Sequence, residues 1–566
     1  MRKKTLKTKD LDYFIGAVAV FAFLLLLIEN TAYFSRYAVP IKIINLSILT
    51  VFISDVLLRI IISKDKKEHL KYNWFDLIVF VPLVQFIRGI EHIPFSVIVW
   101  QIVIITMLIS RTRKAQKLLT LLHLKPAQLM IISFSFTVGF GAILLMLPAA
   151  TVSGARTSLV DALFTATSAT CVTGLVVRDT GTYFSIFGQS VILALIQLGG
   201  LGIMTFSISL ALILGKHVDI KQQAAMQDIL DQETISSARN LTAFIVKMTL
   251  LIEFAGAVLL FFAWKNRFPD ALVTGYYALF HSVSAFCNAG FSTFSDSLTR
   301  FGTDTVTNIT ISVLIISGGI GFPVIKNFYD KIVNRITRNS RKAIRLKVQT
   351  KIVLLMSFLL ILIGSISIYF FEKTNSFAGT GQYGSWVLSF FQSVTARTAG
   401  FNSCSIGGMS AASLFIIILL MFIGASPAST GGGIKTTTVF VLWATIVSSF
   451  RNRNNVEAYK RTIPAIVIQK AVSLLAVSIS VVAVFTVLLL YFEKKLFLDI
   501  LFETVSAFGT VGLSTGITPD LSRKGKILIT ILMFIGRMGP LMIGYAVLSH
   551  KRPPKYFYAE ERVMIG

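Results

Sequence analysis

Four short stretches of this 566-residue chain share one plan. They read LFTATSATCVTGL (163–175), LFHSVSAFCNAGF (279–291), FFQSVTARTAGF (390–401) and LFETVSAFGTVGL (501–513). Each opens on a bulky apolar pair, carries Ser or Thr followed by Ala, and closes on glycine plus an apolar residue. The glycines, Gly174, Gly290, Gly400 and Gly512, stand 116, 110 and 112 residues apart. A near-constant period marks an internal repeat. The chemistry open to such residues is coordination by main chain. Glycine reaches backbone angles closed to other residues, so consecutive carbonyls can face one axis. Rings of carbonyls replace a cation's hydration shell. The residues placed to do so are Thr170, Cys171, Val172, Thr173 and Gly174; Cys287, Asn288, Ala289 and Gly290; Thr398, Ala399 and Gly400; and Gly509, Thr510, Val511 and Gly512. A short helix ahead of each turn would aim its negative C-terminal end at the ion.

Long apolar runs flank every stretch, among them 131–149, 248–263, 352–371, 464–490 and 527–548. The short helices are expected to have about nine or ten residues, too few for the roughly 20 that cross a bilayer. Each must enter and return. Re-entrant backbone survives in a membrane only when buried in protein or lining a water-filled path. The expected fold is therefore an all-α integral membrane protein with about twelve transmembrane helices. Residues 121–566 form four span–short helix–span repeats around one central pore, at about 121–235, 236–345, 346–460 and 461–566. A four-helix transmembrane bundle, residues 1–120, precedes them.

Composition agrees with a membrane chain. It is 54% hydrophobic and 14% charged, against roughly 25% charged in soluble domains. The net charge of +27 is concentrated: 37 of 54 Lys and Arg fall in 1–10, 59–71, 111–125, 216–247, 326–351, 451–470 and 551–562. The positive-inside rule makes those segments and both termini cytoplasmic. Contact with acidic lipid headgroups is secondary, and nucleic acid is not an expected partner. The N-terminal MRKKTLKTKD reads as the end of a retained signal anchor. Three cysteines, Cys171, Cys287 and Cys404, give neither a disulfide framework nor a metal spacing, and six scattered histidines make no cluster. A membrane enzyme would need a nucleophile–base pair or a metal set, and neither is visible.

SATCVTGLVV, FCNAGFS, TARTAGFN and GTVGLSTG resemble the four filter segments of the Trk/Ktr/HKT superfamily of potassium transporters, closest to the bacterial Ktr and Trk types. ASPASTGGGIKTTT (425–438) resembles the family's intramembrane loop, and FIGRMGPL (534–541) its fourth-repeat arginine segment. The resemblance covers roughly 120–566. It implies potassium uptake across the cell membrane through filter carbonyls that bind K+. It also implies no covalent cofactor, a homodimer, and a cytosolic nucleotide-binding regulatory ring. Na+ remains open as a coupling ion. Glycine at all four filter positions favours potassium, with a sodium or mixed Na/K transporter as the alternative.

Lys435 and Arg537 read as the two charges within apolar spans, where charge is costly and usually functional. Gly431, Gly432 and Gly433 cannot make good helix; with Lys435 and Arg537 they are the expected gate, a mobile glycine loop opposite an arginine. Arg397 beside the third turn should pair with Glu503 behind it, supporting the filter, or else lie solvated at the outer mouth. Cys171 and Cys287 fit as compact packing. LGGLG (198–202) and SGGIGFP (317–323) read as packing or hinge sites, packing first. In the first 120 residues, Phe52, Asp55 and Asp76 resemble the charge-transfer residues of voltage sensors. The fourth apolar segment, however, holds no basic residue, and only Arg111, Lys114 and Lys117 follow at its end. A degenerate sensor-like bundle is expected there, which argues against a voltage-responsive regulatory protein.

Overall fold

The computed structural model describes residues 126–214, 235–337 and 346–547 (454 aside), with a few positions between 18 and 58. Among the described residues it is helical apart from one two-stranded hairpin, Glu457–Ala458 with Arg461–Thr462. The helices fall into four successive groups. The first holds α1 (Pro126–Leu145), α2 (Leu159–Thr170) and α3 (Ile186–Leu214). The second holds α4 (Ile235–Trp264), α5 (Ala271–Phe286), α6 (Thr305–Gly319) and α7 (Phe322–Thr337). The third holds α8 (Val348–Glu372), α9 (Gly381–Thr395), α10 (Ala411–Phe422) and α11 (Thr436–Phe450). The fourth holds α12 (Ala465–Phe492), α13 (Phe497–Gly509), α14 (Arg523–Met538) and α15 (Pro540–Val547).

Three described helices are long and apolar enough to cross a membrane: Thr242–Trp264, Val348–Glu372 and Ala465–Phe492. Each is the first long helix of its group. The bundle expected in residues 1–120 lies almost wholly outside the described residues, as do Asp76, Arg111, Lys114 and Lys117. Phe52 and Asp55 are described, and both are buried.

Three expectations need correction. The short helices α2, α5, α9 and α13 run for 12, 16, 15 and 13 residues rather than nine or ten. They start upstream of the bulky pair; Ser158 accepts from Asp161 N and Asp270 from Leu272 N at the first two starts, and such caps satisfy otherwise orphaned donors. They remain shorter than a bilayer span. The apolar run 527–548 is not one helix: it breaks at Gly539, whose φ is +82°. SGGIGFP does more than pack, since α6 and α7 meet there at a 100° bend, with Gly321 at φ +90°.

The groups lock together through their packing. Two large apolar clusters fill the interior. One is built mostly from the first two groups yet includes Phe391, Val394 and Phe401 of the third. The other is built mostly from the last two yet includes Phe164, Leu175 and Val177 of the first. In two groups a buried carboxylate joins the first long helix to the start of the one after the turn. Glu493 accepts Ser522 N (3.0 Å) and Ser522 Oγ (2.6 Å). Glu372 accepts Ser410 N (2.8 Å), Ser410 Oγ (2.7 Å) and Asn375 Nδ2 (2.8 Å). Glu372→Ala removes the charged acceptor of these part-buried hydrogen bonds and should cost about 1–3 kcal/mol. Thermal unfolding of the solubilised protein checks this. Glu372→Gln, which keeps acceptor capacity, should recover part of the loss.

Candidate functional site

The four glycine turns follow directly from the C-terminal ends of α2, α5, α9 and α13. Each has the same backbone signature. The glycine and the residue two before it both take positive φ: Val172 (57°) and Gly174 (93°), Asn288 (59°) and Gly290 (68°), Thr398 (72°) and Gly400 (78°), Thr510 (51°) and Gly512 (93°). Left-handed angles are uncommon outside glycine and unfavourable for β-branched residues. Val172, Thr398 and Thr510 are β-branched, and such angles would not persist there unless the surroundings imposed them.

The turns close on one another in chain order. A side chain at Gly174 would collide with the carbonyl of Ala289, one at Gly290 with Ala399, one at Gly400 with Val511, and one at Gly512 with Thr173. In each case the obstacle is the carbonyl just before the next glycine, and the fourth turn returns to the first.

Hydroxyls at one register position hold the turns. Counting four residues on from the buried Phe164, Phe280, Phe391 and Phe502 gives Ser168, Ser284, Thr395 and Ser506. Ser168 Oγ donates to Leu175 O (2.8 Å), Ser284 Oγ to Phe291 O (2.8 Å) and Thr395 Oγ1 to Phe401 O (2.9 Å). Gly174 N and Gly512 N donate to Ser168 Oγ and Ser506 Oγ, each at 3.1 Å. The third turn is one residue shorter, with nine residues from Phe391 to Gly400 where the others have ten. It still makes the shared bond, Ala399 N to Thr395 O (3.0 Å), beside Thr173 N to Ser168 O, Ala289 N to Ser284 O and Val511 N to Ser506 O.

Arg397 and Glu503 do not pair. Glu503 accepts hydrogen bonds from Ser514 and Thr518 (3.0 Å) on the loop after the fourth turn. Arg397 is buried and donates to Ser357 Oγ (3.2 Å) of α8. The two stand at opposite ends of the helix–turn unit: Arg397 three residues before its glycine, Glu503 nine before its own. Burial also removes the solvated alternative. Glu503 belongs to a set that sequence reading missed. Directly after each buried Phe comes a polar residue, and His281 and Gln392 likewise reach Ser292 (2.8 Å) and Ser403 (3.2 Å) in the returning loops.

The segment between α10 and α11 lies against the inner ends of the turns. Phe322 N bonds Ala428 O (3.0 Å), and Ser426 N bonds Gly319 O (3.0 Å). Thr430 Oγ1 reaches Phe286 O (3.3 Å), and Gly432 N reaches Thr510 Oγ1 (3.0 Å). A Cβ on Gly431 would strike Thr398, and one on Gly432 would strike Thr510. The glycines thus permit close approach, and the loop is fastened in this conformation rather than hanging free. Lys435 Nζ donates to Gly431 O (2.8 Å) and Gly432 O (3.4 Å). Arg537 donates through Nη1 to Thr430 O and through Nη2 to Gly199 O (2.6 Å). One guanidinium therefore ties the loop to α3. Gly199 has no room for a side chain beneath Thr170 O, and Gly318 none beneath Phe286 O.

Cys171 and Cys287 are fully buried at the helix ends. Cys287 Sγ lies 3.7 Å from Glu253 Oε1. Glu253, 3% exposed within Thr242–Trp264, is a further ionisable residue inside an apolar helix; the signal was a lone acid in LLIEFAGAVLL. The ion pair Lys526–Asp161 (2.9 Å), joining α14 to α2, was also unforeseen. Its partners are 365 residues apart.

A helical membrane protein with four inward turns, closed carbonyl to glycine, is a transport architecture rather than an enzyme site. The chain belongs to the TrkH cation transport protein family, whose model matches residues 95–558. It is 40% identical over 443 residues to the Ktr system potassium uptake protein B of Vibrio alginolyticus, covering 78% of this chain and 94% of that protein. It is 36% identical over 455 residues to the potassium/sodium uptake protein NtpJ of Enterococcus hirae, covering 78% and 98%. The crystal structure of the potassium transporter TrkH from Vibrio parahaemolyticus shares the fold, with a TM-score of 0.59 at 15% identity, covering 94% of this chain and 98% of that one.

Ser168→Ala removes the anchor of Gly174 N and Leu175 O at once. It should lower stability by about 1–3 kcal/mol, read as a fall in unfolding temperature. Ser168→Thr, with its hydroxyl retained, should fall less.

Proposed function

We propose that this chain is the pore-forming subunit of a potassium uptake system in the cell membrane, with the four glycine turns as its selectivity filter. The carrying observation is the cyclic contact of Gly174, Gly290, Gly400 and Gly512 with their neighbours' carbonyls. Positive φ at alternate residues turns consecutive carbonyls toward one side, where they can replace the hydration shell of K+. The helix ends Thr170, Phe286, Thr395 and Gly509 add partial negative charge. In this reading residues 121–566 form the four-repeat pore, and residues 1–120 form a separate four-helix extension. The active unit is a homodimer with both termini cytoplasmic, bound to a cytosolic nucleotide-binding ring. The names of the Ktr relatives, which describe a system, favour such a partner.

Gly174→Ser tests selectivity. The new side chain would meet the Ala289 carbonyl at an unfavourable φ of +93°, disturbing one quadrant. Potassium-over-sodium discrimination of rubidium flux in proteoliposomes should fall. If the parent already passes both ions equally, the mixed Na/K reading suggested by the NtpJ relative replaces this one.

The gate in this reading is the loop around Gly431–Gly433, with Lys435 and Arg537. A fixed positive charge beneath the filter opposes a passing cation, by up to about a few kcal/mol at low effective dielectric. Arg537→Ala should raise flux and weaken its dependence on the regulatory ring. Flux measured with and without that ring decides; parent-like, fully regulated flux would place the gate elsewhere.

A further inference from the structure

A cavity of about 230 Å³ opens beside the loop. Its wall is formed by the loop, by the α14–α15 elbow at Gly539, and by Ser478 and Leu474 of α12. Lys435 and Arg537 both line it. Among the described residues, neither cation has a carboxylate within ion-pair distance; their partners are carbonyls. Two polar groups on the wall have no partner at all. Ser478 Oγ is fully buried, and Arg537 Nε belongs to a side chain only 6% exposed. Much of the remaining lining is apolar, including Met130, Phe508, Met538 and Met542.

Buried cations in a membrane are expensive unless paired. Here two cationic side chains line one space, and an unpartnered guanidinium N–H and hydroxyl lie buried in its wall. All of them donate, so the complement is an anion with several acceptor oxygens. The apolar remainder suits a hydrocarbon attached to that anion. The α12 wall buries only 22% of its apolar window against the protein, so most of this helix faces outward.

We propose that this cavity binds an oxyanion carrying an apolar chain, of the kind an anionic phospholipid supplies, with its headgroup between Lys435, Arg537 and Ser478. Bound there, it holds the elbow against the loop and keeps Arg537 on the Thr430 and Gly199 carbonyls. That second step rests on the gate reading above; the binding itself does not.

The test uses the full-length protein, stripped of lipid, with phosphatidylglycerol, phosphatidylcholine or inorganic phosphate added. Native mass spectrometry reads binding. One phosphatidylglycerol should be retained per chain in preference to phosphatidylcholine. Ser478→Ala should weaken retention about tenfold, the worth of one charge-assisted hydrogen bond. Ser478→Leu, which also fills space, should abolish it. Displacement by inorganic phosphate would show that the oxyanion alone is read, from either source. Equal retention of phosphatidylcholine, or parent-like retention by both variants, overturns the site. Rubidium flux from vesicles is the second arm: phosphatidylglycerol should lower flux in the parent and not in Ser478→Leu. If binding behaves as stated but parent flux is indifferent to the lipid, the site stands and its link to the gate fails.

Discussion

A left-handed glycine whose missing side chain would lie on a neighbour's carbonyl is the constraint on which this molecule depends. It operates four times, each turn closing on the next. Such a ring cannot hold itself together, since one non-glycine residue per turn, Val172, Asn288, Thr398 or Thr510, is in a region that costs free energy. The supports are layered outward. Hydroxyls at Ser168, Ser284, Thr395 and Ser506 fasten the turns. His281, Gln392 and Glu503 fasten three of the returning loops. Buried phenylalanines hold the short helices, with Phe164 and Phe391 reaching across into the cluster of another group. Lys526 and Asp161 bind the last group to the first.

The same constraint explains the broken helices behind the ring. Backbone must pass close under the short helix ends, and Gly199, Gly318 and Gly536 each stand where a Cβ would meet a carbonyl of the adjacent helix end, Thr170, Phe286 or Phe508. Small residues let helices approach in this way. Beyond that contact, three of the four second helices are interrupted, at Gly321, in the 423–435 segment and at Gly539, the first with a 100° bend. Irregular backbone at membrane depth needs internal partners. The loop's donors and acceptors find them in Gly319, Phe286, Thr510, Lys435 and Arg537.

Sequence reading reached the parts that repeat. Four glycines at near-equal spacing announced the turns, and the apolar runs announced the helices around them. The hydroxyls were visible as Ser or Thr before Ala, although their targets were not. What escaped was set by three-dimensional neighbours. Arg397 seemed to need an acid, yet its direction is fixed by which end of the unit it occupies, and Ser357 lies there. Glu253 hid in an apolar run, where a single acid barely changes the pattern. The breaks at Gly321 and Gly539 look like ordinary small residues until the contact beneath each helix end is known. The expected bundle in 1–120 falls outside the described residues.

The repeats are alike at the ring and unlike beneath it, and that difference matters physically. The ring is built of four similar quadrants. Below it, one group contributes an extended loop, another a cationic side chain, and a third the carbonyl of Gly199 that the cation holds. Moving Arg537 off Thr430 and Gly199 would break contacts with two groups together, while the four turns keep their own hydroxyl bonds. The underside can therefore rearrange without dismantling the ring. Separate fastening of the two layers lets the underside move while the turns keep their geometry. Among the described residues neither layer's bonds include the other's, except where Gly432 N meets Thr510 Oγ1 and Thr430 Oγ1 meets Phe286 O. Those two bonds are where a movement of the loop would be felt by the ring.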